Sequence, residues 1–326
     1  MKAVVYGGGN IGRGFLGQLL CESGYETVFV DINQSLIDRL NADKCYPIKI
    51  VCNEYQNEII IKNVRAVHSN SAPDEIQTAD IIFTSAGVNV LPHVAPVIKE
   101  GLERRETGVD IIICENLINA DKYLHDLIRP TGNVGFVEAS VGRMVPVMTE
   151  QMYEGCPTKV WVEPFCELPV DKAAFKNPIP QIKGMLPSAP FEYYIQSKLY
   201  LHNMGHAIAA YLGKQKGYKF IWQAMEDNTI AQAVKNAMHA SAMALHLEHN
   251  KPKDEVIAYA DDLMNRFKNR CLGDTAERVG RDTERKLAAG DRLLGALKLC
   301  QKHKIPAEDI KQGIIAALDY IYEGEY

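Results

Sequence analysis

A glycine-rich turn near the N-terminus constrains the fold of this chain more than any other feature. The apolar run Ala3–Tyr6 predicts a buried strand, and the turn Gly7-Gly8-Gly9-Asn10-Ile11-Gly12 follows it directly. Ile11–Cys21 then places apolar residues at helical spacing. A second predicted strand ends at Asp31, about 20 residues after the turn. Strand, glycine turn, helix and strand in this order predict a βαβ unit with parallel strands.

The spacing of the glycines predicts a dinucleotide site in this unit. Gly7 permits a tight turn, Gly9 lets the backbone approach a pyrophosphate, and Gly12 allows close packing of helix on strand. The pyrophosphate would rest on the helix N-terminus and its N–H groups. Asp31 would bind the adenosine ribose and repel a 2′-phosphate, so NAD is the expected cofactor. The turn residues expected to contact it are Gly7, Gly8, Gly9, Asn10, Ile11 and Gly12.

The first half of the chain continues the alternation of strands and helices. Residues 46–67 predict short strands and turns. Continuous apolar runs at Ile81–Thr84 and Ile111–Cys114 predict central parallel strands that are covered on both faces. The pattern as a whole predicts an α/β domain with a doubly wound, Rossmann-type sheet.

Small or polar residues follow two of these strands. Ser85 and Ala86 come after the strand at 81–84, and Glu115-Asn116 come after the strand at 111–114. Because ligands bind outside the carboxyl ends of strands in open α/β sheets, we expect Ser85, Ala86 and Asn116 to contact the cofactor. Asn116 is also placed to reach the reacting centre, with helix capping as an equal alternative.

The pattern changes near residue 190. Prolines at 178, 180, 187 and 190, together with Gly184, predict a connecting segment. Beyond it the spacing predicts helices over 192–212, 227–247, 253–268, 275–302 and 306–322. We therefore expect a dinucleotide-binding domain over residues 1–190 and a mainly α-helical domain over residues 191–326.

Composition excludes some partners. The net charge of −5 argues against nucleic acid as the main partner. No apolar stretch approaches the length that a membrane span needs. The eight scattered cysteines form no CxxC pair, as is typical of reduced thiols. We expect a cytoplasmic protein that binds a small molecule, and the sequence predicts no particular oligomeric state.

One predicted helix carries an unusual set of polar residues. At about 100° per residue, Lys198, His202, Asn203 and His206 fall within roughly a 140° arc. Oxidation of an alcohol needs a base, and a lysine serves when burial lowers its pKa. An asparagine amide stabilises the forming carbonyl oxygen, and a histidine orients a neighbouring hydroxyl. This chemistry needs no metal ion.

The same residues carry a resemblance to a known family. Lys198, Asn203 and His206 match the K-x4-N-x2-H signature of the mannitol dehydrogenase family, the polyol-specific long-chain dehydrogenases. The glycine turn, Cys114-Glu115-Asn116 and Val162-Glu163-Pro164-Phe165 resemble its mannitol-1-phosphate branch most, as do Arg278-Val279-Gly280-Arg281 and Gly290-Asp291-Arg292-Leu293. The similarity runs in order from residue 1 to about 320.

The resemblance implies an NAD-linked, metal-independent polyol dehydrogenase. Lys198 would be the general base, Asn203 and Asn116 would donate to the substrate oxygen, and His206 would orient the substrate. Arg278 and Lys286, which are eight residues apart and so expected near one helix face, match positions that the family uses around the substrate.

Some positions depart from the family pattern. Gly142 stands where an aspartate usually precedes Arg143, which is itself expected to bind substrate. His202 and Leu168 replace an apolar residue and a tryptophan of the mannitol-1-phosphate branch. These changes affect the expected substrate more than the reaction type.

A cationic stripe is expected to bind the substrate's anionic group. Its members are Arg278, Arg281, Arg285 and Lys286. The alternative is a solvated surface balanced by Glu277, Asp282 and Glu284. The leading hypothesis is interconversion of mannitol 1-phosphate and fructose 6-phosphate. Reduction of a keto-hexuronate, oxidation of an unphosphorylated polyol, and an NAD-binding sensor remain alternatives, the last favoured by Gly142.

Overall fold

The computed structural model describes residues 1–322, and the chain separates into two compact units. The first unit is Met1–Phe191, and the second begins at Glu192. The proline-rich segment found in the sequence lies at the end of the first unit. The continuous helical pattern begins with the second.

The first unit is built on a parallel sheet. In chain order its strands are β1 (Lys2–Tyr6), β2 (Glu26–Asp31), β3 (Cys45–Val51), β4 (Gln56–Lys62), β5 (Val64–His68), β6 (Ile81–Thr84), β7 (Val109–Ile113), β8 (Val134–Glu138), β9 (Val160–Val162), β10 (Leu168–Asp171) and β11 (Met185–Ser188). Six of them form the main sheet in the order β5-β2-β1-β6-β7-β8, all parallel. The remaining strands form a three-stranded sheet, β4-β3-β9, and the pair β10-β11.

Helices cover both faces of the main sheet. A π-helical segment at Gly12–Leu16 runs into α1 (Gly17–Glu22), and the further helices are α2 (Gln34–Asp43), α3 (Ala72–Gln77), α4 (Leu91–Glu103), α5 (Ala120–Ile128) and α6 (Glu150–Tyr153). Successive side chains of β1 enter opposite cores: Ala3 and Val5 pack with α1, whereas Val4 and Tyr6 pack with α3, α4 and α5. This double burial explains the continuous apolar runs and confirms the doubly wound α/β class.

The second unit is helical over most of its length. It consists of α7 (Glu192–Ser197), a π-helical segment at Lys198–Asn203, α8 (Met204–Gln215), α9 (Ile221–Glu226), α10 (Asn228–His249), α11 (Lys253–Phe267), α12 (Ala276–Gly280), α13 (Thr283–Lys286), α14 (Arg292–Lys302) and α15 (Glu308–Tyr322). The expected helical character of this half is confirmed. Within residues 1–322, none of the helices combines the length and apolar character needed to cross a membrane.

The single helix expected over 275–302 is wrong. The chain leaves helical geometry at Arg281 and Asp282, where Asp282 adopts a left-handed conformation with φ of 58°. It breaks again before Asp291, whose carboxylate caps α14. Arg278 on α12 and Lys286 on α13 therefore do not share one helix face, and the cationic stripe is divided among separate short helices.

Candidate active site

The glycine turn joins β1 to the first helix and is shaped by close backbone approaches. Gly7 has a φ of 105°, and a Cβ there would lie 2.5 Å from the Ser85 carbonyl oxygen. A Cβ on Gly12 would collide with the carbonyl oxygen of Gly7. A Cβ on Gly9 would meet no atom within 4 Å, so the backbone at Gly9 borders open space. Only glycine fits at positions 7 and 12, and Gly9 leaves room for a ligand to approach the backbone.

Asp31, at the carboxyl end of β2, fastens this turn. One carboxylate oxygen accepts from the Gly8 N–H at 2.9 Å, and the other accepts from the N–H groups of Ile32 and Asn33 at 2.8 and 2.9 Å. The Asn10 amide donates to the Pro146 carbonyl at 3.3 Å. Ile11 packs on the core.

The ends of β6 and β7 lie beside the turn. The Ser85 hydroxyl donates to the Gly7 carbonyl at 3.1 Å. The buried Glu115 carboxylate accepts from the backbone N–H groups of Ala86 and Gly87. Burial raises the pKa of Glu115, although the two N–H groups favour its charged form. Asn116, the next residue, is exposed.

Lys198, Asn203 and His206 lie on one continuous helical rod, but not with α-helical spacing throughout. The π-helical segment begins at Lys198 and ends at Asn203. The single arc expected for these residues from the sequence assumes the α-helical rotation of about 100° per residue. That rotation does not apply across the π-helical segment, because its hydrogen bonds span five residues. Lys198, Asn203 and His206 are half-buried, whereas His202 is buried. Single π-turns of this kind occur frequently at functional sites.

His206 is held in a defined orientation. Its ring stacks on Phe267 with centroids 4.9 Å apart and planes 9° apart. Its Nε2 lies 3.4 Å from a carboxylate oxygen of Asp274, which also binds the Arg278 guanidinium. Burial, with further contributions from Arg278, Arg292 and Lys286, lowers the pKa of His206 to about 4, although Asp274 opposes the shift. The imidazole is therefore neutral at neutral pH.

His202 occupies a more enclosed position. Its ring centroid lies 5.7 Å from that of Phe267 and 6.2 Å from that of His206. Burial lowers its pKa well below the usual value, helped by Arg266 and other neighbouring cations. Among residues 1–322, its Nδ1 atom is buried and has no hydrogen-bond partner. His202 is therefore a neutral polar group set in the interior of the second unit.

The predicted cationic residues differ sharply in environment. Lys286 is 5% exposed, and burial with the nearby Arg292 and Arg285 lowers its pKa to about 8 against the opposing effect of Asp282 and Asp291. Arg278 is exposed and paired with Asp274, and Arg281 is exposed and paired with Glu277. Buried Arg292 binds Asp291 at 2.7 Å. Arg281 therefore matches the solvated-surface alternative, whereas Lys286 is a desolvated cation.

Arg143 is built into the first unit. It is 4% exposed, and its guanidinium donates to the Glu163 carbonyl at 2.9 Å, the Gly14 carbonyl at 3.0 Å and the Gln18 side chain at 2.7 Å. A Cβ on the preceding Gly142 would lie 3.2 Å from the Phe165 ring. An aspartate at 142 would therefore press its side chain toward this ring.

Among the described residues 1–322, no group of three or more histidine, cysteine, aspartate or glutamate side chains is arranged to hold a metal ion. His246 and His249, which form an H-x-x-H pair, contact the Lys251 carbonyl and the Gln196 side chain.

Comparison with protein families accounts for both units. A family model described as the mannitol dehydrogenase Rossmann domain matches residues 1–184, and one described as the mannitol dehydrogenase C-terminal domain matches residues 191–325. The chain belongs to the mannitol dehydrogenase family. The resemblance seen in the sequence is thereby confirmed at the level of the family.

Solved structures share this fold. Pseudomonas fluorescens mannitol 2-dehydrogenase, in a ternary complex with NAD and D-mannitol, is 17% identical with a TM-score of 0.76, over 98% of this chain and 79% of that one. A D-sorbitol dehydrogenase in substrate-free form is 15% identical with a TM-score of 0.79, over 97% and 79% of the two chains. A 2-dehydropantoate 2-reductase from Geobacter metallireducens GS-15 is 12% identical with a TM-score of 0.58, over 98% and 99%.

Sequence reasoning gave no role to three charged residues around these motifs. Arg13 is buried in the first helix and donates to the Gly8 carbonyl at 2.6 Å and to the Thr158 carbonyl. Asp274 contacts His206, and Arg292 lies near both His206 and Lys286. A basic residue within a run of small and apolar residues was the available signal for Arg13. Asp274 and Arg292 depend on contacts between distant segments, which spacing does not reveal.

Proposed function

We propose that this member of the mannitol dehydrogenase family is an NAD-dependent dehydrogenase that interconverts mannitol 1-phosphate and fructose 6-phosphate. The observation that carries the proposal is the arrangement of the second unit. Its π-helical segment begins at Lys198 and ends at Asn203, and His206 follows in the next helix. The unit also buries Lys286 and Arg292. A possible base, an amide donor, a neutral imidazole and desolvated cations suit a polyol that carries an anionic group.

The first unit supplies what NAD binding needs. Open space at Gly9 adjoins the start of a helix, where backbone N–H groups attract a pyrophosphate. Asp31 would bind the ribose hydroxyls, and its carboxylate disfavours the 2′-phosphate of NADP. Ile32, which follows it, is 77% exposed and offers no positive charge. The solved mannitol 2-dehydrogenase contains NAD. When bound, NAD supplies the hydride acceptor for oxidation of the polyol.

The second unit supplies the proton chemistry. The alcohol loses its O–H proton as its carbon loses hydride, and Lys198 as a neutral amine accepts that proton at Nζ. The amide N–H groups of Asn203 donate to the oxygen as it becomes a carbonyl. Neutral His206 exchanges a hydrogen bond with a neighbouring hydroxyl and thereby orients the substrate. No step in this scheme calls for a metal ion.

The anionic group of the substrate is assigned to Lys286 and Arg278. A buried ammonium gains most from an anion because little water screens it, and the Arg278 guanidinium offers a fork that matches phosphate oxygens. Arg278 is also exposed and paired, but its partner Asp274 contacts His206, which places Arg278 beside the proposed catalytic residues. Arg281 is more exposed and pairs with Glu277 at the surface, and Arg143 is bonded inside the first unit, so both are less suited. The same cations would accept a carboxylate, so a keto-hexuronate is the alternative substrate.

The test follows NADH oxidation by its near-ultraviolet absorbance, with fructose 6-phosphate, fructose, tagaturonate and fructuronate as separate substrates. We expect rapid oxidation with fructose 6-phosphate and at least a hundredfold lower kcat/KM with fructose. Activity confined to a hexuronate would keep the reaction type and replace the substrate. Absence of turnover with all four, in a protein that binds NADH, would contradict the proposal and favour a sensor.

A further inference from the structure

Glu115 holds a neighbouring loop by both of its carboxylate oxygens. The residue follows β7 by two positions and is 7% exposed. Its Oε1 accepts from the Ala86 N–H at 2.9 Å, and its Oε2 accepts from the Gly87 N–H at 3.0 Å. Each oxygen of one buried side chain is thus committed to one of two consecutive backbone donors. The carboxylate fixes the peptide orientations of the loop that follows β6.

This loop is continuous with the glycine turn. The Ser85 N–H donates to the Tyr6 carbonyl at 2.8 Å, and the Ser85 hydroxyl donates to the Gly7 carbonyl. Gly87 has a φ of 96°, a conformation that residues with a Cβ rarely adopt. A chain of contacts therefore runs from Glu115 through residues 85–87 to the turn at Gly7. The loop conformation is unusual enough to need such support.

Hydrogen bonds, and not an ion pair, support the buried Glu115 carboxylate among residues 1–322. Within residues 1–322, no lysine, arginine or histidine forms an ion pair with it, and burial raises its pKa. A desolvated carboxylate is costly unless its hydrogen bonds replace water. Here the N–H groups of Ala86 and Gly87, together with the Thr84 side chain, favour the charged form of the carboxylate. The consequence of these contacts is that the Glu115 side chain fixes the geometry of residues 85–87.

We propose that Glu115 is a positioning residue for NAD, acting through the backbone of residues 85–87 and not by contact. The inference rests on the proposed function, in which Ser85 and Ala86 contact NAD. If Glu115 loses one carboxylate oxygen, the N–H groups of Ala86 and Gly87 are no longer both held. Residues 85–87 then become less ordered where the cofactor is proposed to bind. Binding weakens although every residue proposed to touch NAD is unchanged.

Asp110 provides a matched control in the same strand. It lies near the amino end of β7, is 2% exposed, and accepts from the backbone N–H groups of Lys176 and Asn177 at 3.0 and 3.2 Å. Asp110 and Glu115 are thus both buried and both bind two consecutive N–H groups. Asp110 also accepts from the Asn177 side-chain amide at 3.1 Å, and it lies at the opposite end of the strand from Glu115. A purely structural role predicts similar consequences for Asp110→Asn and Glu115→Gln.

The experiment measures the Kd of NADH by fluorescence titration, alongside the Tm, for wild type, Glu115→Gln and Asp110→Asn. In Glu115→Gln the amide NH2 replaces one acceptor and faces a backbone N–H, so we expect the Kd to rise about tenfold. We expect Asp110→Asn to lower the Tm comparably and to leave the Kd within twofold of wild type. Equal Kd values for Glu115→Gln and wild type, or equal weakening by both variants, would overturn the inference.

A second variant covers the case in which Glu115→Gln does not fold. Gly87→Ala disturbs the same loop through its φ of 96° and leaves the Glu115 carboxylate intact. We expect it to raise the Kd of NADH in the same direction, and an unchanged Kd would overturn the inference. Wild type that fails to bind NADH would instead defeat the proposed function, and this inference with it. Wild type that binds, with variants that bind equally, would defeat only the role of Glu115.

Discussion

His206 shows how its surroundings set the protonation of a single residue. A carboxylate near a histidine ordinarily raises its pKa, and Asp274 acts in that direction. Burial and three neighbouring cations outweigh Asp274, so the pKa of His206 falls to about 4. The ring is therefore uncharged across the physiological range. In the proposed mechanism His206 forms a hydrogen bond with the substrate, and Lys198 accepts the proton of the alcohol.

The role of Lys198 is testable by substitution. We expect Lys198→Met to lower kcat about 10²- to 10⁴-fold, because general base catalysis contributes about that much. The Kd of NADH should stay within twofold of wild type, since the proposed cofactor contacts are in the first unit. Lys214→Met, at an exposed position of α8, is the control and should retain activity. Normal turnover by Lys198→Met at every pH would show that another group is the base.

Lys286 gives the enzyme a predicted dependence on pH. Its pKa of about 8 means that the ammonium loses its proton as the pH rises through that value. A substrate phosphate is already dianionic there, so its attraction declines with the charge on Lys286. We expect kcat/KM for fructose 6-phosphate to fall as the pH rises from about 7 to about 9. Arg285, Arg292, Asp282 and Asp291 are the charged groups that act on this lysine.

The arginine variant separates this effect from other titrations. Lys286→Arg stays charged throughout the range, so its kcat/KM should fall less between pH 7 and 9 than that of wild type. Lys286→Met should be low at every pH. If kcat/KM falls with pH in Lys286→Arg as steeply as in wild type, a group other than Lys286 causes the fall.

At the scale of the element, the π-helical segment sets the spacing of the proposed catalytic residues along the helix. It sits within an otherwise α-helical rod, and the Tyr200 carbonyl inside it accepts from the Ser241 hydroxyl at 2.8 Å. The Tyr200 hydroxyl donates to the Gly290 carbonyl at 3.3 Å. Contacts from α10 and from the residues before α14 thus support the segment. Its shape depends on neighbours that are distant in sequence.

Overpacking against Tyr200 tests this support. A Cβ on Gly295 in α14 would lie 2.6 Å from the Tyr200 ring. We expect Gly295→Ala to displace the segment, to lower kcat about tenfold, and to reduce the free energy of unfolding by about 1–3 kcal/mol. Gly313→Ala is the control, because its Cβ would lie 2.5 Å from Ile208 in α8, outside the segment. If both variants lose stability and neither loses kcat, the segment does not position the catalytic residues.

Local patterns were enough to predict most elements but not the breaks between α12, α13 and α14. Gly280 and Gly290 stand directly before the two breaks, but an isolated glycine is also tolerated within a helix, so neither glycine fixes a boundary by itself. The break depends on Asp291, which caps α14 and binds Arg292. These contacts join neighbouring residues, and an aspartate before a helical run is a local signal that the single-helix prediction did not use. The π-turn, in contrast, leaves no spacing of its own in the sequence.

At the scale of the whole molecule, the first unit was predicted better than the candidate site. Parallel strands buried on both faces leave apolar runs that can be seen in one dimension, and the glycine turn adds a fixed spacing. The protonation of His206 and Lys286 could not be predicted, because it depends on burial and on charges from several helices. The residue types of the candidate site could be found in the sequence, and their electrostatics required the packed structure.

The anchoring of the glycine turn has a consequence for the kinetics of cofactor exchange. Asp31, Ser85 and Arg13 hold the turn by contacts within the protein itself. The conformational entropy of this loop is therefore lost when the chain folds and not when a ligand arrives. A rigid receptor of this kind exchanges its ligand without a slow ordering step, so association should follow a single concentration-dependent phase. The hydrogen bonds of Asp31, Ser85 and Arg13 therefore set the shape of the turn before the cofactor binds.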